Sequence, residues 1–156
     1  MGHSEPQAAT IYDDGVAMFN EGRWEEAVRA FAQVIELEPS DTYLLTLAYV
    51  NRSTALSHLE RVEEAVVDAT AAIDLQLDVE ILAAAYVSRS VDLILLERTD
   101  EAIADVTAAI DLQPDDIDIL AQAYVNRSIA LSTLQRTDDA VADLRIVLEL
   151  LPPTMS

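Results

Sequence analysis

The sequence predicts an all-α fold made of four helix-turn-helix repeats, and two observations carry this prediction. The stretch YVNRS occurs at residues 49–53 and 124–128, with YVSRS between them at 86–90. Three further sets of residues recur in phase, with spacings of 38, 37 and 38. These sets are Ala27, Ala65, Ala102 and Ala140; Arg23, Arg61, Arg98 and Arg136; and Pro39, Leu77, Pro114 and Pro152.

The first helix of each repeat is predicted from apolar residues at helical spacing. In the segment 44–59, Leu45, Ala48, Leu56 and Leu59 share this spacing. A short turn follows, such as ERTD in the next repeat. The repeating arginine of that turn is expected to end the first helix, where a cation suits the helix dipole.

The second helix is predicted to begin just after this turn. Thr99 and Thr137 are residues of the type that caps a helix N-terminus. Two acidic residues then occupy the first turn of every second helix, where the helix dipole favours negative charge. These acidic residues therefore need no ligand to explain them. The segment 63–75 continues the helix with alanines and an isoleucine at helical spacing.

Composition excludes several classes of function. The chain of 156 residues has a formal net charge of −20, which repels nucleic acids and anionic membrane surfaces. It has no cysteine and two histidines, so a thiol nucleophile or a cysteine–zinc site is excluded. No long apolar run or secretory signal is visible. We expect a cytoplasmic protein without a cofactor or metal, and not an enzyme.

The repeats predict a single domain over residues 11–152. Residues 1–10 are expected to be a flexible leader or a cloning remnant, and residues 153–156 a tail. The four units are predicted at about 8–39, 41–77, 78–114 and 115–152.

The repeated pattern resembles that of the tetratricopeptide repeat family: an aromatic residue, Leu-Gly, an aromatic, Ala, an aromatic and Pro. The first unit has it as Ile11, Asp14-Gly15, Met18, Ala27, Phe31 and Pro39, and the fourth as Tyr124, Arg127-Ser128, Leu131, Ala140, Leu144 and Pro152. The resemblance implies a right-handed superhelical solenoid. The period of 37–38 exceeds the family's value of about 34, so we expect longer first helices.

An arginine inside each apolar first helix predicts a structural ion pair. An aspartate follows each arginine by 16 residues, and the first unit lacks both, with Asp14 and Ala30 in their places. A guanidinium can hold a carboxylate with two hydrogen bonds, which would join the two helices of a unit. The predicted pairs are Arg52 with Asp68, Arg89 with Asp105 and Arg127 with Asp143.

The resemblance also implies a concave groove, lined by the first helices, that binds a peptide. Carried over, the groove comprises Tyr12, Val16, Val50, Asn51, Thr54, Val87, Ser88, Val91, Ile94, Leu95, Val125, Asn126 and Ile129. Asn51 and Asn126 match asparagines with which chaperone-binding relatives hold a terminal carboxylate. The matching cation positions hold uncharged residues in either alignment of the units, namely Tyr12, Val16, Ala84 and Ser88, or Val50, Thr54, Gln122 and Asn126. We therefore expect an apolar peptide or helix with some positive charge.

Apolar residues spread around the last helix predict self-association, as a homodimer, through the fourth unit. The predicted interface residues are Ile146, Val147, Leu148, Leu150 and Leu151. The partner is otherwise a protein or peptide that the sequence does not name. Two alternatives stay open: a groove that binds a small apolar molecule, and an adaptor segment of a larger protein.

Overall fold

The computed structural model describes residues 4–151, which form eight helices and no strand. The helices are α1 (Ser4–Asn20), α2 (Trp24–Glu36), α3 (Thr42–His58), α4 (Val62–Leu75), α5 (Val79–Leu95), α6 (Thr99–Asp111), α7 (Ile117–Thr133) and α8 (Thr137–Leu150). Consecutive helices pack as four hairpins, α1 with α2 through α7 with α8. The predicted all-α fold of four helix-turn-helix repeats is confirmed.

The chain divides into two compact units, residues 1–77 and 78–156. We call them the N-terminal unit and the C-terminal unit. Each unit contains two hairpins and buries its own apolar clusters. In the N-terminal unit Phe31 and Ala27 are fully buried, and in the C-terminal unit Ala83 and Ala109 are.

Helix α1 begins at Ser4, which corrects the expected flexible leader over residues 1–10. The physical reason is packing, because Ala8 is fully buried in a cluster with Val34 and Ala48. The carboxylate of Glu5 also accepts a hydrogen bond of 2.6 Å from Ser40 Oγ. The predicted tail and residues 1–3 lie outside the described residues.

The first helices are each 17 residues long and the second helices 13 or 14. The extra residues of the long period therefore extend the first helices, as predicted. Asp41, Asp78 and Asp116 cap three of them, each accepting hydrogen bonds from the backbone N–H groups two and three residues later.

The caps of the second helices differ from the prediction. Arg98 and Arg136, not the threonines that follow them, occupy the N-cap positions, and no side chain caps these helices. The arginine fork instead binds the acidic residue at the third helical position. Arg98 Nε and Nη2 donate to Glu101 over 2.7 and 2.6 Å. Glu101 is thus paired with Arg98, which lies in the turn after α5 and not at the end of that helix.

The turn between the two helices of each hairpin requires a left-handed backbone conformation. Gly22 adopts it with φ +74°, and Glu60, Glu97 and Gln135 adopt it at the equivalent positions with φ 59°. Only glycine does so without a steric cost, so three of the four turns carry backbone strain.

Candidate functional site

The recurring YV(N/S)RS stretch is a device that joins the two helices of a hairpin. Arg127 Nε and Nη2 donate to the two oxygens of Asp143 over 2.8 and 2.7 Å. The guanidinium carbon lies 5.3 Å from the ring centre of Tyr124, one helical turn earlier. The arginine therefore binds a carboxylate and also contacts an aromatic ring, which is why it is tolerated within an apolar stripe.

The same geometry occurs in the other two predicted pairs. Arg52 binds Asp68 with two hydrogen bonds of 2.6 and 2.7 Å, and Arg89 binds Asp105 with two of 2.7 Å. The aspartate side chains keep 5–7% exposure and the arginines 18–23%. The hydrogen bonds to the aspartates raise the pKa of Arg52 and Arg127 above the usual value, so both stay charged.

Each unit has a cleft that is lined by one of these ion pairs. The residues that line the two clefts are equivalent and lie 75 positions apart in the sequence. The cleft of the N-terminal unit has a volume of about 330 Å³ and is lined by Arg52, Asp68 and Leu56. The cleft of the C-terminal unit, of about 290 Å³, is lined by Arg127 and Leu131, among others. Their likeness follows from the repeat.

The predicted groove residues of the N-terminal unit lie on α1 and α3, which pack side by side. Asn51 Nδ2 donates a 2.8 Å hydrogen bond to the hydroxyl of Tyr12. Burial is the main cause that raises the pKa of this tyrosine, and the hydrogen bond from Asn51 opposes it. Tyr12, Val16, Val50, Asn51 and Thr54 are all half-buried, so this face offers little free apolar surface.

An aromatic cluster stands at the end of this face. Trp24 stacks on His58 at 4.0 Å and nearly parallel, and Phe19 contacts Trp24 edge-on at 5.0 Å. Trp24 was missing from the predicted groove because it belongs to a second helix. Its position just after the turn is the signal that could have indicated it.

The C-terminal unit has the more apolar groove face. Val91 and Leu95 on α5 are 43% and 64% exposed, and Ile129 on α7 is 47% exposed. We call these three residues the groove patch. The two helices pack side by side, and Val91 and Ile129 occupy equivalent positions in their repeats. Ser88, Ile94 and Val125 are half-buried beside the patch.

Two predicted groove residues are corrected, because Val87 and Asn126 are buried at 8% and 3% exposure. Asn126 Nδ2 lies 3.3 Å from the Val87 carbonyl oxygen and 3.1 Å from Ser90 Oγ, and its side-chain oxygen accepts a hydrogen bond from Gln122. Asn126 therefore links α7 to α5 inside the unit. Asn126 is therefore not available to a peptide carboxylate, whereas the half-buried Asn51 already donates one hydrogen bond to Tyr12.

The last helix, α8, exposes apolar side chains, although not all of those predicted. Leu148 is 76% exposed and Leu151 43%, whereas Ile146 and Leu150 are half-buried. Val147 is 8% exposed because it faces the inside of the hairpin, which corrects its predicted role in an interface. Val141 and Leu144, at 41% and 45%, are exposed instead.

We define the α8 stripe as Val141, Leu144, Leu148 and Leu151. The first two were missed, yet the repeat could have indicated them. Val141 and Leu144 occupy the positions that Val28 and Phe31 hold in α2, and those residues are buried beneath α3.

Within residues 4–151 no helix is long and apolar enough to cross a bilayer. Over the same range no three His, Asp or Glu side chains are grouped so that they could hold a metal ion.

No family model matches the sequence. A chain of the STIP1 homolog from Dictyostelium discoideum is 37% identical over 78 residues, which are 50% of this chain and 13% of that relative. Among solved structures, the second TPR domain of human RPAP3 in complex with the HSP70 peptide SGPTIEEVD has a TM-score of 0.69. It is 26% identical, and the match covers 81% of this chain and 97% of that domain.

The chain has the tetratricopeptide-repeat fold. A MamA fragment from Desulfovibrio magneticus RS-1 supports the fold with a TM-score of 0.76 over 92% of this chain and 75% of that one, at 21% identity. The chain spans about an eighth of the length of the Dictyostelium relative, so the resemblance concerns the repeats and not that whole protein.

Proposed function

We propose that this tetratricopeptide-repeat chain is a non-catalytic scaffold that binds a peptide or helix through the groove patch. The exposure of Val91, Leu95 and Ile129 on two adjacent first helices carries the proposal, because exposed apolar patches mark interaction surfaces. The second TPR domain of RPAP3 supports it by likeness, since its structure contains a bound peptide.

The partner we propose differs from the acidic HSP70 peptide in that structure. Both asparagines that match the family's carboxylate-binding positions form internal hydrogen bonds, and no cation occupies the other matching positions. A carboxylate there would lose water without gaining a charge partner, and the net charge of −20 would repel it. An apolar segment flanked by lysine or arginine suits this surface. A cytoplasmic location is part of the proposal.

A peptide selection tests this function. Peptides selected on the intact protein from a random displayed library should have apolar anchors and basic flanks. Their affinity, measured by fluorescence anisotropy, should fall at least about tenfold in Leu95→Glu. Val67→Glu is the matched control, because Val67 is 66% exposed on α4, a second helix, and should leave affinity unchanged. Equal binding to both variants, or saturable binding of SGPTIEEVD, would contradict the proposal.

Self-association through α8 is the second function we propose, and the exposed α8 stripe favours it. Light scattering behind a sizing column should give a mass near twice 17.1 kDa at high protein concentration. Leu148→Glu should return the protein to one copy. A single copy at every concentration would exclude this function and leave the groove patch as the interaction surface.

A further inference from the structure

The α8 stripe has the spacing of a helix that pairs with another helix. Its four residues are three, four and three positions apart, which is the a/d pattern of a coiled-coil seam. Leu151 follows the last helical residue, but its N–H still donates to the Val147 carbonyl oxygen over 3.1 Å. It therefore continues the same face of the helix.

The equivalent faces of α2 and α6 show what covers such a stripe. In α2, Val28 and Phe31 pack against Ala55 and Leu56 of the following first helix. In α6, Val106 is fully buried and α7 packs on this helix. The following helix covers this face in α2 and in α6, whereas among the described residues no helix follows α8 and its stripe is exposed.

The first helix of a second copy is a poor match for this face. The residues of α1 equivalent to the buried Ala48 and Ala55 are Thr10 and Ala17, which are exposed. Asp14 on this helix and Glu21 just after it are also exposed, so a head-to-tail stack would press an acidic surface onto leucines.

We infer that the α8 stripe pairs with the α8 stripe of a second copy, antiparallel and about a two-fold axis at position 146. In this register Val141 faces Leu151 of the second copy and Leu144 faces Leu148 of the second copy, and the reverse contacts repeat them. All four apolar residues thus meet apolar residues, which is what a self-complementary interface requires. The inference rests on the self-association proposed above and adds its geometry.

Charge favours this face over the rest of the surface. Two acids of α8 already pair within the chain, Asp143 with Arg127 and Asp139 with Arg136. Arg145 and Glu149, both exposed, balance each other, and the exposed Asp138 in the first turn is the one charge of the helix left over from this balance. With a net charge of −20 per chain, two copies repel least where local charges cancel. Association should therefore strengthen as salt screens the remaining repulsion, unlike association held by ion pairs.

Cysteine cross-linking tests the register, because the chain has no cysteine of its own. A mixture of Leu144→Cys and Leu148→Cys proteins should form a disulfide-linked dimer under mild oxidation. It should do so at least about tenfold faster than a mixture of Ala142→Cys and Leu148→Cys proteins. Ala142 is exposed on the same helix but lies off the stripe, which makes it the matched control. Circular dichroism checks that each variant folds.

The outcomes separate the geometry from the self-association. A dimeric mass with equal cross-linking of control and stripe variants would overturn the antiparallel register and leave self-association standing. A single copy at all salt and protein concentrations would overturn both. Masses that keep growing with concentration would overturn the two-fold pairing, because an antiparallel pair closes on itself.

Discussion

Removing the aspartate of one buried ion pair should destabilise the C-terminal unit strongly. The side chain of Asp143 is 6% exposed and that of its partner Arg127 is 22% exposed. Asp143→Ala leaves a guanidinium that has lost two hydrogen bonds and is only partly reached by water. Breaking a fully buried pair in this way costs about 3–5 kcal/mol. Because water can partly rehydrate Arg127, we expect a loss of about 2–3 kcal/mol in the free energy of unfolding.

Denaturant unfolding and thermal melting measure this loss. For a domain the size of the C-terminal unit, each kcal/mol lowers Tm by about 4–8 °C, so a loss of about 2–3 kcal/mol should make Asp143→Ala melt roughly 10–20 °C lower. Asp139→Ala is the matched control, since its pair with Arg136 is more than half exposed and should contribute no more than about 1 kcal/mol. Replacing Arg127 and Asp143 together by leucines should restore most of the stability. Equal losses in Asp143→Ala and Asp139→Ala would refute the reasoning.

Three further changes test the fold. Glu97→Gly should raise the free energy of unfolding by about 0.5–1 kcal/mol, because Glu97 has a φ of 59° that glycine adopts without steric cost. Thermal melting measures this change, and Glu97→Ala should show no rise in Tm. Gly15→Ala should lower the free energy of unfolding by about 1–3 kcal/mol, because the added Cβ would lie 2.8 Å from Phe31 Cε1. Unchanged denaturant unfolding would exclude this close packing. The hydrogen bond from Arg61 lowers the pKa of Glu64, so this pair stabilises the fold above the usual pKa of 4.5, and the stabilisation is lost as the pH falls through the lowered pKa. The Tm difference between the native protein and Glu64→Gln should therefore be present at neutral pH and close in acid, and a constant difference would count against it.

The sequence predicted the hairpins and the ion pairs because the repeat supplies an internal comparison. Arg52 and Asp68 vary together across the four units, so their contact could be inferred from one chain. The helix caps lacked this advantage. Thr99 has a good capping side chain, but the fork of Arg98 binding Glu101 sets a different start for the helix. That competition depends on side-chain geometry, which a residue preference does not describe.

The groove was predicted less well because its residues depend on the distance between neighbouring first helices. Asn126 fits the pattern of a ligand-binding asparagine, yet α5 lies close enough for Val87 and Ser90 to accept its hydrogen bonds. The matching Asn51 reaches only a tyrosine hydroxyl and stays half-buried. Asparagine thus has two roles at equivalent positions. Asn126 joins two helices inside the C-terminal unit, whereas Asn51 borders an open surface in the N-terminal unit. A substitution should distinguish the two roles: Asn126→Ala should lower Tm, and Asn51→Ala should do so less, because only the former leaves an emptied site in the interior.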